Sequence, residues 1–491
     1  MTMIEYSTAL SSNVRERFFI DGEWVASHSG ARHVLVSPAT EKPFMSVPLA
    51  DATDVERAIA AARRAFDSGP WPKMSGAERS VYLQRLTEEI RLRLPLLAQL
   101  WTEQVGAPIT FANGLLPVGI TRFEFFSELA KTYEFEDARP TRRGHARVRR
   151  EPVGVAALIA PWNATFPIVS QKIAAALAAG CTVVVKSPVE SPLDALIIAE
   201  CAAAASLPPG VLNVITAGRD EGAQLVQSRD VDKISFTGSV ATGQWIARAA
   251  VDRMARVTLE LGGKSAAILL DDVDLSSALA ALTPFTMPFS GQICFAQTRI
   301  LAPRARHDEV VSAYAEIVSK LKVGDPHDAD TRIGPLLNAV QRDRVRAYID
   351  RGVKEGARLA LGGSGNVGFD KGYFVEPTVF ADVAPDMTIA QEEIFGPVVS
   401  ILPYDNIDDA VRIANDTPYG LSGSVYGRDP EQAYALACRM RAGNIGVNGV
   451  ELAANVPFGG YKLSGVGREG GREGLEAYLE TKAVFMPTAA G

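Results

Sequence analysis

Two short runs of this chain carry residue types fit for covalent chemistry. Cys294 closes the run Phe289-Ser290-Gly291-Gln292-Ile293-Cys294, and Glu260 opens Glu260-Leu261-Gly262-Gly263-Lys264-Ser265 upstream of it. A thiol nucleophile and a carboxylate base, each set beside glycines, are the parts of a covalent attack on a carbonyl. A free thiol of pKa about 8.5 is only a few per cent ionised at neutral pH, so Cys294 needs a base or a positive field. The histidines (His28, His33, His145, His307 and His327) give no cysteine-protease pattern around it. Glu260, acting through a water, is the better base. Asn163, in Pro161-Trp162-Asn163, can offer a side-chain amide to a developing oxyanion, a donor worth ~10²–10³-fold in rate. A turn-forming asparagine after proline is an equal reading. Lys186 ends the run Val183-Val184-Val185, as a cation aimed at a crevice or as a solvated charge.

The elements that must position these residues show in the spacing. From 154 to 261, strand-like runs at 154–160, 182–185, 211–215, 233–236 and 257–261 alternate with helical ones at 166–179, 193–205, 221–227 and 243–253. That alternation predicts an α/β fold, a parallel sheet with helices on both faces. Valine- and isoleucine-rich strands suit burial on both sides. Ligands bind such sheets at the carboxyl ends of the strands, where Asn163 and Lys186 fall. The run Phe236-Thr237-Gly238-Ser239-Val240-Ala241-Thr242-Gly243 is a strand–turn–helix junction that can bring backbone N–H groups to a phosphate. It is not GxGxxG, and Gly263-Lys264-Ser265 is no Walker A loop because Thr258 stands at its first glycine. Residues 50–133 read as mostly helical, for example 54–66 and 77–94. After Glu260 a second alternating series begins with a strand at 266–270 and helices at 309–321 and 341–355, followed by elements at 389–403 and 408–415.

At 491 residues there is room for two or three domains and a large core. A formal charge of −7 argues against nucleic acid or an anionic membrane as the main partner. The local exception, Arg139, Arg142, Arg143, Arg147, Arg149 and Arg150, reads as a partner-facing arm meeting acidic surface. No basic-then-apolar signal pattern opens the chain, and the apolar run 173–185 is too short for a membrane helix. Cytoplasm is the expected compartment. The cysteines Cys181, Cys201, Cys294 and Cys438 are widely spaced, so neither a disulfide framework nor a metal site is expected. Cys201 and Cys438 read as core positions on apolar helical faces.

Together these residues resemble the non-acylating NAD(P)-dependent aldehyde dehydrogenase superfamily. The likeness runs from Phe19-Ile20-Asp21-Gly22-Glu23-Trp24 to Thr481-Lys482, and also takes in Glu392-Glu393-Ile394-Phe395-Gly396-Pro397 and Pro457-Phe458-Gly459-Gly460-Tyr461-Lys462. The resemblance implies a Rossmann-type nucleotide-binding domain (1–133 and 152–260), an α/β catalytic domain (261–462), and a small bridging β-hairpin with the C-terminal tail (134–151 and 478–491). The hairpin falls on the Arg-rich stretch and implies self-association as a homodimer or homotetramer. Cys294, Glu260, Asn163 and Lys186 are the implied catalytic set. Cys294 would attack the aldehyde, with Asn163 and the Cys294 N–H holding the oxyanion. Glu260 would activate the water that hydrolyses the thioester, and Lys186 would bind the adenosine ribose. Contacts to NAD or NADP are implied for Ile159, Pro161, Trp162, Asn163, Lys186, Val189, Gly218, Gly222, Phe236, Thr237, Gly238, Ser239, Thr242, Leu261, Gly262, Glu393 and Phe395.

Three departures from the family pattern stand out. Val189 replaces a glutamate common in NAD-preferring members, with Glu190 one step beyond, which admits NADP while NAD stays slightly favoured. Phe289 replaces a common asparagine, which predicts a loss of polar support for the nucleophile loop. Thr165 replaces a proline, with Pro167 two residues on. Ile293, Phe295, Leu452 and Phe458 predict an apolar substrate tunnel, suited to a hydrophobic aliphatic, terpenoid or aromatic aldehyde rather than a charged semialdehyde. A CoA-acylating relative would typically lack Glu260, and a non-catalytic scaffold would not need the intact catalytic set.

Overall fold

Five strands of the 154–260 segment pair in parallel, in the spatial order Arg256–Glu260, Lys233–Thr237, Val155–Ile159, Thr182–Ser187 and Leu212–Thr216. The chain steps outward from Val155–Ile159 to Leu212–Thr216, then returns to the other side of its first strand. The strand order therefore reverses between Val155–Ile159 and Lys233–Thr237, and a crevice opens at their carboxyl ends. Short antiparallel strands complete this eight-stranded sheet, Phe18–Ile20 and Glu23–Val25 at one edge and Gly465–Val466 at the other. The computed structural model describes residues 9–365 and 367–487. Residues 1–8 of the expected nucleotide-binding range, Asn366 and residues 488–491 of the expected tail lie outside the described residues.

The strands Val155–Ile159, Lys233–Thr237 and Leu212–Thr216 are buried along their whole length, as both-face helix cover demands. The helix Thr165–Ala179 is buried at every position except Ile168. A helix buried on all sides is an interior helix, and Asn163 stands just before this one. The helix Gly76–Val105 runs through Pro95, beyond the expected end at 94, until Gly106 (φ 79°) stops it. Proline disfavours helix in the residue before it. Here buried Leu83, Leu86 and Ile90 on one side of Pro95, and Leu97, Trp101 and Val105 on the other, hold the helix together.

A second sheet of seven strands runs in the order Arg358–Leu361, Thr378–Ala381, Val398–Tyr404, Arg299–Pro303, Ala266–Leu269, Ser422–Tyr426 and Asn444–Val447. All its pairings are parallel except that of the edge strand Arg358–Leu361. The expected element at 389–403 divides into a helical turn, Thr388–Gln391, and the strand Val398–Tyr404. A third sheet joins the hairpin Glu136–Thr141 and Gly144–Pro152 to Leu479–Pro487. Its arginines meet acids of the same hairpin. Arg150 and Arg139 bond Asp137 at 2.7 and 2.9 Å, and Arg147 bonds Glu136 at 3.3 Å. Among the described residues no helix is long and apolar enough to cross a membrane.

One buried triad ties the C-terminal segment to the large sheet. Lys172 on the helix Thr165–Ala179 pairs with Glu469 and donates to Ser235 Oγ at 2.9 Å, while Ser235 donates to Glu469 at 2.9 Å. Removing one member of such a pair leaves an uncompensated buried charge, at a cost of ~3–5 kcal/mol. Lys172→Met should therefore lower Tm by calorimetry, and Lys172→Met/Glu469→Gln should recover part of the loss. A double variant less stable than the single one would contradict this account.

Candidate active site

Three connected cavities open at the crevice. A cavity of about 840 Å³ is walled by Ile159, Lys186, Val189, Gly218, Gly222, Phe236 and Thr242, among others. A second, of about 310 Å³, shares Ile159, Lys186, Phe236 and Thr242 with it. To these it adds Pro161, Trp162, Asn163, Thr237, Gly238, Ser239, Leu261, Gly262, Cys294, Glu393 and Phe395. A third, of about 60 Å³, shares Asn163, Thr237 and Cys294 with the second and contains Glu260, Ile293, Phe295, Leu452 and Phe458. Every residue expected to touch the cofactor lines the first or second cavity, and every expected tunnel residue lines the third. Cys294 stands where a roomy cleft meets a narrow one.

Backbone constraints fix the thiol there. Phe289, Ser290 and Gly291 all lie in the left-handed region, at φ 48°, 56° and 76°. A Cβ on Gly291 would stand 2.0 Å from the Gly396 carbonyl oxygen, and one on Gly263 would stand 2.4 Å from that of Cys294. The loops bearing Glu260, Cys294 and Glu393 therefore pack backbone to backbone. Asn163 Nδ2 donates to the Gln292 carbonyl at 2.8 Å, leaving its second N–H for another acceptor. Trp101 Nε1 donates to the Asn163 carbonyl at 2.8 Å and holds the asparagine from behind. Glu393 accepts from the Gly263 N–H at 2.9 Å, and its loop is braced by Arg344 and Gln341, which donate to the carbonyls of Glu393 and Phe395. Trp162 meets Phe395 edge to face across the second cavity, with ring centroids 5.6 Å apart. Ser239 caps the helix Val240–Val251 by accepting from Thr242 N–H at 3.3 Å.

A sequence model of the aldehyde dehydrogenase family matches residues 24–484. The geranial dehydrogenase of Castellaniella defragrans is 45% identical over 96% of this chain and 98% of its own. The chain belongs to the aldehyde dehydrogenase family. Among solved structures, an aldehyde dehydrogenase of Mycobacterium tuberculosis complexed with NAD+ is 43% identical, with a TM-score of 0.95 over 97% of this chain and 99% of its own. Aldehyde dehydrogenase C of Pseudomonas syringae, a mutant complexed with NAD+ and octanal, is 42% identical, with a TM-score of 0.93 over 97% of each chain.

The electrostatics of this aldehyde dehydrogenase site are set by burial among acids. Burial, then Glu393 and Glu260, push the Cys294 thiol up to about 12. Burial, then Glu469, raise Glu260 well above the usual carboxylate range, with Lys172 and Arg468 pulling the other way. Neither Glu260 oxygen has a hydrogen-bond partner among the described residues. Burial also raises Glu393, which the Gly263 N–H opposes. Lys186 is pulled down by burial, against Glu190 and Glu221.

Phe289 offers the nucleophile loop no amide, and its ring packs instead on Trp101 at 5.8 Å and Phe111 at 6.2 Å. One expectation needs correction. Cys438 is exposed rather than core, because it follows the helix Pro430–Ala437 as its cap. Pro167, noted beside Thr165 in the sequence, lines the third cavity, whereas sequence motifs gave no sign of Arg122, Gln171 or Leu115, which helical runs deliver there. Glu190, beside Val189, does line the first cavity. The only three-residue His/Asp cluster among the described residues, His307, Asp308 and Asp382, is bridged by Arg358, which bonds both aspartates.

Asparagine tolerates the left-handed region better than phenylalanine, but a buried ring lost from a core costs about 3–5 kcal/mol. Packing outweighs strain here. Phe289→Asn should lower Tm and cut kcat by ~10²-fold or more as Cys294 and Asn163 lose their fixed distance. An unchanged kcat in a stable Phe289→Asn protein would refute the clamp.

Proposed function

We propose that this aldehyde dehydrogenase oxidises aldehydes with hydrophobic aliphatic, terpenoid or aromatic tails to carboxylic acids, with NAD+ as the preferred cofactor. The carrying observation is the position of Cys294 between a cleft of about 310 Å³ and a narrow cavity lined by Ile293, Phe295, Leu452 and Phe458. Two of the relatives' names support it: geranial is a terpenoid aldehyde and octanal an aliphatic one.

The cleft fits a dinucleotide. It lies at a strand-order reversal, ends at a helix N-terminus capped by Ser239, and is kept open by small residues. A Cβ on Gly262 would stand 2.5 Å from Glu393 Oε2. Lys186 would hold the adenosine ribose, Ser239 and its turn the pyrophosphate, and Glu393 with Phe395 the nicotinamide end. Val189 leaves space for a 2′-phosphate, but Glu190 on the same wall would repel it, so NAD+ is favoured over NADP+.

In this reading the Cys294 thiolate attacks the aldehyde carbon. The free Asn163 N–H and the Cys294 backbone N–H receive the oxyanion. When bound, the nicotinamide supplies the acceptor for the hydride that leaves this carbon. Glu260 then takes a proton from a water that attacks the thioester, and the acid departs from the Cys294 sulfur. The large sheet with its helices would serve as the nucleotide-binding domain (1–133 and 152–260) and the second sheet as the catalytic domain (261–462). The three-stranded sheet, with Phe485 73% exposed, supports a homodimer or homotetramer contact.

With octanal and NAD+, the wild type should release octanoic acid rather than an acyl-CoA when CoA is added. Glu260→Gln should give a burst of NADH near one equivalent per active site, then turnover reduced by ~10²–10⁴-fold. A steady rate equal to wild type would overturn the role of Glu260. The raised thiol gives a second test: far below its pKa, the thiolate fraction grows with every step in pH. Alkylation of Cys294 by iodoacetamide without cofactor should therefore rise about tenfold per pH unit from pH 7 to 9. A plateau in that range would contradict the acidic surroundings.

A further inference from the structure

We infer that Arg122 and Gln171 make the tunnel select apolar aldehydes whose tails carry a neutral carbonyl oxygen, over all-hydrocarbon tails of equal length. The inference rests on the aldehyde-oxidation reading above and adds to it a demand on the far end of the substrate. The third cavity continues outward into a fourth, of about 20 Å³, and the two share Arg122, Gln171, Phe295, Leu452 and Phe458. The throat between them is therefore three apolar side chains and two hydrogen-bond donors.

Both donors have capacity to spare. Arg122 sends one N–H to the Pro167 carbonyl and forms no ion pair among the described residues, although a guanidinium carries five N–H donors. Burial pulls it down to about 10, opposed by Glu469. Gln171 is 4% exposed, and its amide nitrogen has no hydrogen-bond partner among the described residues. Buried donors are almost always satisfied, so an unpartnered one on a substrate wall points to a ligand acceptor.

The acids around the throat decide the charge of that acceptor. Glu260 and Glu469 line the inner cavity and Glu451 the outer one. Lys172 pairs with Glu469, burial keeps Glu260 towards its neutral form, and Glu451 shares the wall of the outer cavity with Arg122. A carboxylate tail would lose its hydration and meet Glu260, Glu469 and Glu451 on the same walls. A ketone needs only N–H donors, and the throat holds them.

The test compares octanal, a series of keto-octanals with the ketone moved along the tail, and the semialdehyde of equal length ending in a carboxylate. In wild type, at least one keto-octanal should exceed octanal in kcat/KM by about tenfold, chiefly through KM, the size of a hydrogen bond to a charged donor. Arg122→Met should bring that keto-to-octanal ratio close to one, and Gln171→Leu should lower it independently if the first variant folds poorly. A wild-type ratio near one for every isomer, a ratio unmoved by both substitutions, or a carboxylate substrate that outperforms the ketones would overturn the inference. Failure to oxidise octanal at all would instead overturn the parent reading.

Discussion

The hydrogen bond from Asn163 Nδ2 to the Gln292 carbonyl spans the boundary between two sheets that fold from different stretches of chain. On one side stands the end of Val155–Ile159, where strand order reverses; on the other stands the loop that presents Cys294. Neither side could hold a reacting carbon alone. The bond ties an amide donor to the carbonyl two residues before Cys294, and Trp101 holds the Asn163 main-chain carbonyl from behind. Trp101 also packs on Phe289, so the brace of the asparagine and the brace of the cysteine loop share one indole. A near-attack geometry needs such shared supports, because small displacements of the reacting groups cost large factors in rate.

Much of this was legible in the order of residues. The parallel sheet followed from strand–helix alternation, and the crevice followed from the sheet, so Asn163, Lys186 and Ser239 could be placed before any coordinates. Glu260 and Cys294 stood out because glycines flank them, and those glycines are required: neither Gly263 nor Gly291 has room for a Cβ. Residues delivered by helices were not legible. Arg122 and Gln171 sit in helical runs whose periodicity marks a buried face but not what that face meets. Pro95 hid the second half of a long helix, since local preference was overridden by burial on both sides of it. The aromatic support of Phe289 was invisible because its partners lie far away in sequence.

Around Cys294 the protein by itself raises the thiol pKa rather than lowering it. Glu393 and Glu260 are both acids, and the leading influences on the thiol include no cation to supply the positive field that a lone nucleophile needs. The unliganded thiol is thereby kept protonated and slow to oxidise or alkylate. The same repulsion works in reverse on Glu260, which shares the small cavity with the thiol. Two negative charges in that space are costly, so thiolate and ionised Glu260 exclude each other. Once the sulfur is acylated, it carries no charge and the restraint on Glu260 from that side is gone. In the proposed mechanism Glu260, still raised by burial and Glu469, would then accept a proton from water. The repulsion would thus favour, in the proposed mechanism, nucleophile first and base second.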